Sequence, residues 1–167
     1  NGNVLMIAWE KKTANEAYSM GREEINNPLN QTWSSAIFEI QPDGNGGGEI
    51  VWEWHLWDHL IQDIDQELPN YGIISEHPEL FDINCGSVGN DAGGPQIPNG
   101  DWMHINAVNY NSILDQIIIS SRTQNEIFVI DHSTYLEEAS GHTGGNSGKG
   151  GDFLYRWGNP ENYGRGT

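Results

Sequence analysis

Basic side chains are scarce in this chain. Seven Lys and Arg stand against 24 Asp and Glu, a formal charge of −17, and the pI is near 4.4. A nucleic-acid phosphate backbone is held by a basic surface, so that class of partner is excluded. Cysteine is nearly absent: Cys85 stands alone, which excludes an intrachain disulfide, fits no metal motif and reads as a free or buried thiol. No apolar run reaches the roughly 18 residues of a membrane-spanning helix. Asn1-Gly2-Asn3-Val4 lacks the basic-then-apolar order of a signal peptide. The 167 residues suffice for one domain with one core.

What is plentiful is glycine and tryptophan, 21 and seven residues, the composition of short aromatic strands separated by tight turns. Val4 to Trp9 reads as a strand lacking a preceding partner, so the N-terminus reads as cut. Lys11 to Thr32 reads as an insertion with weak helical character up to Arg22, ended by Asn26-Asn27-Pro28. Ser35–Ile40 and Glu49–Trp54 alternate with period two around the loop 42–48, which makes a hairpin. His55–Ile61 reads as a short helix. Gln62 to Gly100, with Pro69, Pro78, Pro95 and Pro98, is too long for a simple connection and suits a site or an interface. Its apolar residues, Tyr71, Ile73, Leu80 and Phe81 among them, are expected to pack on the first insertion or on a neighbouring chain at an outer rim.

Four further strands are expected over Trp102–Tyr110, Gln116–Ser121, Glu126–Ile130 and Phe153–Trp157, forming one antiparallel sheet in that order. Internal repetition supports this. Ile37-Phe38-Glu39-Ile40 matches Ile127-Phe128-Val129-Ile130, and Glu49–Trp54 matches Asp152–Trp157. Repeated four-stranded units imply an all-β fold of β-propeller blades with helical or irregular insertions: an incomplete blade over 1–61, an insertion over 62–100 and a full blade over 101–160. Two blades cannot close a ring, so this is a partial propeller completed by further blades, a neighbouring chain or a homo-oligomer. On pattern alone the alternative is a two-layer antiparallel sandwich.

Residues capable of chemistry sit at the ends of these strands. His104 and Asn106, two apart, would share one face of a strand and could aim hydrogen-bond donors at the peripheral oxygens of a sulfuryl or phosphoryl group; from the residues alone the commoner case is a satisfied core histidine and a turn amide. Asp101 reads as an orienting or turn carboxylate. Arg122 could hold an oxyanion or be the structural partner of Asp131 or Glu126. His132, in Asp131-His132-Ser133-Thr134, reads as structural. His55 and His59 are four apart, but no Glu follows His55 and no third ligand is fixed, so no metal is assigned. The glycine-rich 141–151 precedes a strand and lacks the Gly-Lys-Ser/Thr ending, so it is not a phosphate loop.

Asp101-Trp102-Met103-His104-Ile105-Asn106, Ser120-Ser121-Arg122, Ile130-Asp131-His132-Ser133, and the run from His142-Thr143-Gly144-Gly145 through Leu154-Tyr155-Arg156-Trp157-Gly158-Asn159-Pro160 together resemble the bacterial arylsulfotransferase family. Trp52-Glu53-Trp54-His55 fits its preceding blade. The resemblance implies a six-bladed propeller, typically exported to the periplasm or the outside of the cell. It moves a sulfuryl group from an aryl sulfate to a phenol through a sulfated histidine, without a cofactor. It implies that His104 lines the active site and that the nucleophilic histidine, a further site histidine and a sulfate-binding arginine lie beyond residue 167; Asn106 and Arg122 remain substrate-binding candidates on their own chemistry. This segment alone would then be incomplete and inactive. Two other functions remain to be weighed: a non-catalytic propeller binding a ligand or partner through its insertions, and, with no cofactor motif to support it, a quinone-dependent dehydrogenase.

Overall fold

The computed structural model describes residues 2–89 and 98–166; Pro95, one of the prolines of the long excursion, lies outside them. Alternating side chains make Val4–Thr13 a strand, β1, because period two turns one face inward and the other outward. A helical turn, α1 (Ala14–Ser19), follows, closed by reciprocal bonds: the Thr13 hydroxyl accepts from the Glu16 N–H at 3.3 Å, and the Glu16 carboxylate accepts from the Thr13 N–H at 2.7 Å. Strands β2 (Gln31–Pro42) and β3 (Gly48–His55) complete an antiparallel sheet in the order β1-β2-β3. The β1–β2 pairing runs from Val4 opposite Ile40 to Thr13 opposite Gln31. The insertion expected over Lys11–Thr32 is therefore shorter, since both of its ends belong to the ladder.

After β3 the chain makes a 3-10 turn, Leu56–His59, rather than a longer helix, and enters β4 (Leu60–Ile61), which pairs in parallel with β5 (Phe81–Asp82). A second antiparallel sheet contains β6 (Ile105–Asn111), β7 (Gln116–Ser121), β8 (Glu126–Asp131) and β9 (Phe153–Trp157), in that order. This is the predicted arrangement, except that β6 begins at Ile105 instead of Trp102. Between β8 and β9 lies a short helix, α2 (Leu136–Ala139), unforeseen in the sequence. The fold is all-β in content, with β1 of the first sheet beside β6 of the second.

One apolar core joins the two sheets and the excursion. Ile37, Trp54 and Leu56 come from the first sheet and its turn, Phe81, Ile83, Cys85 and Val88 from the excursion, and Ile117, Ile119, Phe128, Ile130 and Phe153 from the second sheet. Burying each large apolar side chain contributes about 1.5–3 kcal/mol, so the excursion is part of the core and not confined to a rim. It also packs on the first insertion. Buried Arg22 donates to the carbonyls of Ile83 at 2.5 Å and Gly86 at 2.7 Å, while the Asn84 and Asn70 amides reach the carbonyls of Gly21 and Met20, each at 2.9 Å. Tyr71 and Ile73 remain exposed.

Candidate functional site

The Asp101–Asn106 segment is pinned from several sides before β6 begins. Trp33 on β2 donates its N–H to the Gly100 carbonyl at 2.6 Å, and the Asp101 carbonyl accepts from Gly89 at 2.7 Å. Trp102 is buried against Phe81, edge to face at 5.3 Å, and its indole N–H reaches the Cys85 carbonyl at 2.7 Å. The hydroxyls of Thr123 and Ser121 donate to the carbonyls of Trp102 at 2.6 Å and Met103 at 2.5 Å. Trp102 and Met103 thus anchor the segment in the core, and the polar residues on either side of them are held in place.

His104 is not part of the strand. Its φ is +48°, a conformation uncommon outside glycine, which asparagine, aspartate and histidine enter more readily than other residues. Asp101 holds it there: one carboxylate oxygen accepts the His104 backbone N–H at 3.2 Å and the other contacts ring Nδ1. Asp101 is buried, and the His104 side chain is 28% exposed. With a carboxylate accepting at Nδ1–H, Nε2 is the ring atom left for a ligand. Asn106 sits at a register shift between Ile105 and Ala107, so the simple two-residue alternation expected for His104 and Asn106 does not hold. Its side-chain oxygen accepts from the Ser120 hydroxyl at 2.7 Å. Arg122 opens the turn between β7 and β8, is exposed, and donates its backbone N–H to the His104 carbonyl at 3.2 Å. The fold therefore brings His104, Asn106 and Arg122 to one end of the β6–β7 pair, with Asp101 orienting the histidine.

Glu126 and Asp131, the acidic residues considered for Arg122, each have other named partners as well. Buried Glu126 pairs with buried Arg156, Nη2 to Oε2 at 2.7 Å and Nε to Oε1 at 3.2 Å. Burial pushes the Asp131 carboxyl up, but hydrogen bonds from Ser133 and Ser147 outweigh it and hold the group below its ordinary range. His132 has the structural role expected of it, with ring nitrogens on Asp115 at 2.8 Å and on Glu39 of β2 at 2.9 Å, so it bridges the two sheets. Burial also pushes the Cys85 thiol up, to about 12, which makes it a poor nucleophile.

A second polar cluster was not foreseen. His55 and His59 do not act together: His55 contacts Glu10 at 3.3 Å, whereas fully buried His59 turns toward β9. His59 Nδ1 and His142 Nδ1 each lie 2.8 Å from Asp152 Oδ1, and His59 Nε2 lies 2.9 Å from the Ala139 carbonyl. The only signal in the sequence was that His142 and Asp152 flank the glycine-rich loop ten residues apart.

The model of the family described as Arylsulfotransferase (ASST) matches residues 1–143 of the chain. No curated protein and no solved structure matches it.

Proposed function

The chain belongs to the arylsulfotransferase family, and from that premise we propose that it carries the Asp101–His104 portion of a site that moves a sulfuryl group from an aryl sulfate to a phenol. The route is ping-pong. A histidine outside this chain attacks sulfur, an S–N bond forms, the aryl S–O bond breaks and the aryloxide leaves. The phenol oxygen then attacks the sulfated histidine, loses its proton and regenerates the imidazole. With both ring nitrogens carrying protons and the Asp101 carboxylate balancing the charge, His104 donates Nε2–H, beside the Asn106 amide, to the peripheral sulfuryl oxygens, and the Arg122 guanidinium holds the anionic substrate. Negative charge on those oxygens is stabilised most by donors already oriented before the substrate arrives.

The observation that supports this reading most is the Asp101–His104 pair: a buried carboxylate fixes both backbone and ring of a histidine that is itself open to solvent. A histidine serving only the core would not need its ring orientation fixed at the surface. We further propose that the two sheets are neighbouring propeller blades, over 1–61 and 101–160, joined by the insertion 62–100. The position of β1 beside β6 suits a first blade represented by its three outer strands. The remaining blades or a second copy would complete the ring, and the family's habit of export supports a location in the periplasm or outside the cell. The test is turnover of 4-nitrophenyl sulfate by the full-length protein with a phenol as acceptor. Parallel lines in double-reciprocal plots support the two-step route; absence of any acceptor-dependent release of nitrophenol contradicts it.

A further inference from the structure

As a neutral ring, His59 has a hydrogen-bonding conflict with its protein neighbours. A neutral imidazole carries one N–H and one lone pair. Both ring nitrogens of His59 face acceptors: the Ala139 carbonyl at Nε2 and the Asp152 carboxylate at Nδ1. The carbonyl can only accept, so Nε2 carries the proton and the Nδ1 lone pair points at a carboxylate oxygen. His142 brings Nδ1 to that same oxygen. His59, His142 and Asp152 each offer a ligand-type atom, and these three atoms lie within 4.8 Å of one another. His59 is fully buried and Asp152 nearly so, which makes lone-pair repulsion there costly.

We propose that His59, His142 and Asp152 bind a divalent transition-metal ion of the zinc class, through Nδ1 of each histidine and the Asp152 carboxylate. Two imidazoles with one carboxylate are the donor set such ions prefer, whereas magnesium and calcium favour all-oxygen shells. Nε2–H of His59 donating to a backbone carbonyl is the usual outer support of a metal-bound histidine. Tetrahedral ligands lie about 3.4 Å apart, so the 2.8 Å contacts at Asp152 open slightly as the ion enters. His142 is the ligand able to move, since its side chain is 59% exposed while that of Asp152 is 8% exposed.

The surroundings are shaped for this arrangement. The His59 ring stacks on Trp54 at 5.6 Å and 4°, and Trp54 in turn donates its indole N–H to the Gly151 carbonyl at 2.8 Å. A Cβ on Gly151 would meet the Ala139 carbonyl at 2.0 Å and His59 Nε2 at 2.6 Å, so only glycine lets these groups approach. His142 also lines a cleft of about 300 Å³ with Met20, Trp57, Asp58 and Tyr71, so its side of the cluster borders open space. The ion would tie the turn after β3 to the residue before β9, and so one sheet to the other.

The experiment is zinc titration of the full-length protein after chelator treatment, followed by calorimetry and thermal melting, with His142→Ala and His55→Ala alongside. The expected result is one saturable equivalent with micromolar or tighter affinity and a melting temperature that rises on adding zinc. Affinity falls about 100-fold or more in His142→Ala and is retained in His55→Ala, whose histidine sits with Glu10 and Glu53 and would carry adventitious binding. No saturable binding to the parent protein, or equal binding by His142→Ala, overturns the proposal. Nitrogen-15 spectra showing both His59 ring nitrogens protonated in the presence of zinc would also overturn it, identifying a buried imidazolium–aspartate pair instead. None of these readouts depends on sulfuryl transfer, so this site and the Asp101–His104 site fail independently.

Discussion

Single side chains decide how the candidate site is held. Asp101 can accept from the His104 backbone as an amide, but only as a carboxylate does it accept from the ring without ambiguity. Asp101→Asn is therefore expected to lower kcat about 10-fold or more with the melting temperature little changed, read by steady-state kinetics and calorimetry on the same sample. Asp131 sets an acid limit. Its folded-state pKa lies below the reference value of 3.8, so its contribution is fully present above about pH 4 and disappears as pH falls through the lower folded value. Comparing denaturant midpoints of the parent and Asp131→Asn across acid pH should show a gap that is widest near neutrality and closes below pH 4; a constant gap would refute the linkage. Cys85, buried with its thiol raised to about 12, should resist iodoacetamide at pH 8 until the protein is unfolded. The fixed geometry of His104 was not legible in the sequence. The run from Trp102 to Tyr110 read as a continuous strand, but a local bond from the Asp101 side chain to the His104 backbone competed with the ladder and kept the histidine outside it.

At the level of elements, alternation made the strands legible where one face is buried. β7 reads clearly because Ile117, Ile119 and Ser121 are buried while their neighbours are less so; β6 does not, because the register shift at Asn106 and its largely exposed residues break the period. The joints between elements carry no periodic signal at all. Arg156 on β9 is the example: besides Glu126 it donates to the Leu80 carbonyl at 3.0 Å and lies 4.3 Å from the Tyr163 ring centroid. Arg156→Ala leaves Glu126 buried and unpaired, for an expected loss of about 3–5 kcal/mol by urea unfolding. Replacing both with apolar residues of similar volume should recover most of it. Gly151→Ala forces Ala139 or His59 to move and should cost about 1–3 kcal/mol; an unchanged unfolding midpoint would show that the α2–β9 loop is looser than its close contacts imply.

For the whole molecule, seven of the nine strands among the described residues and the order of the second antiparallel sheet were readable from the sequence, whereas the short parallel pair β4–β5 and the role of the 62–100 excursion were not. Its prolines and glycines read as an external loop, yet Phe81, Ile83, Cys85 and Val88 supply core, because long-range packing leaves no local pattern. The same packing carries Trp102 into the interior and so presents His104 at the end of the second sheet. The most direct test of the central claim is kcat/KM for 4-nitrophenyl sulfate measured on full-length His104→Ala, with its melting temperature taken in parallel. Loss of one oriented donor predicts a fall of about 10²–10³-fold in a protein that melts close to the parent. Unchanged kcat/KM in a variant with a lowered melting temperature would show that His104 holds the fold and takes no part in sulfuryl transfer.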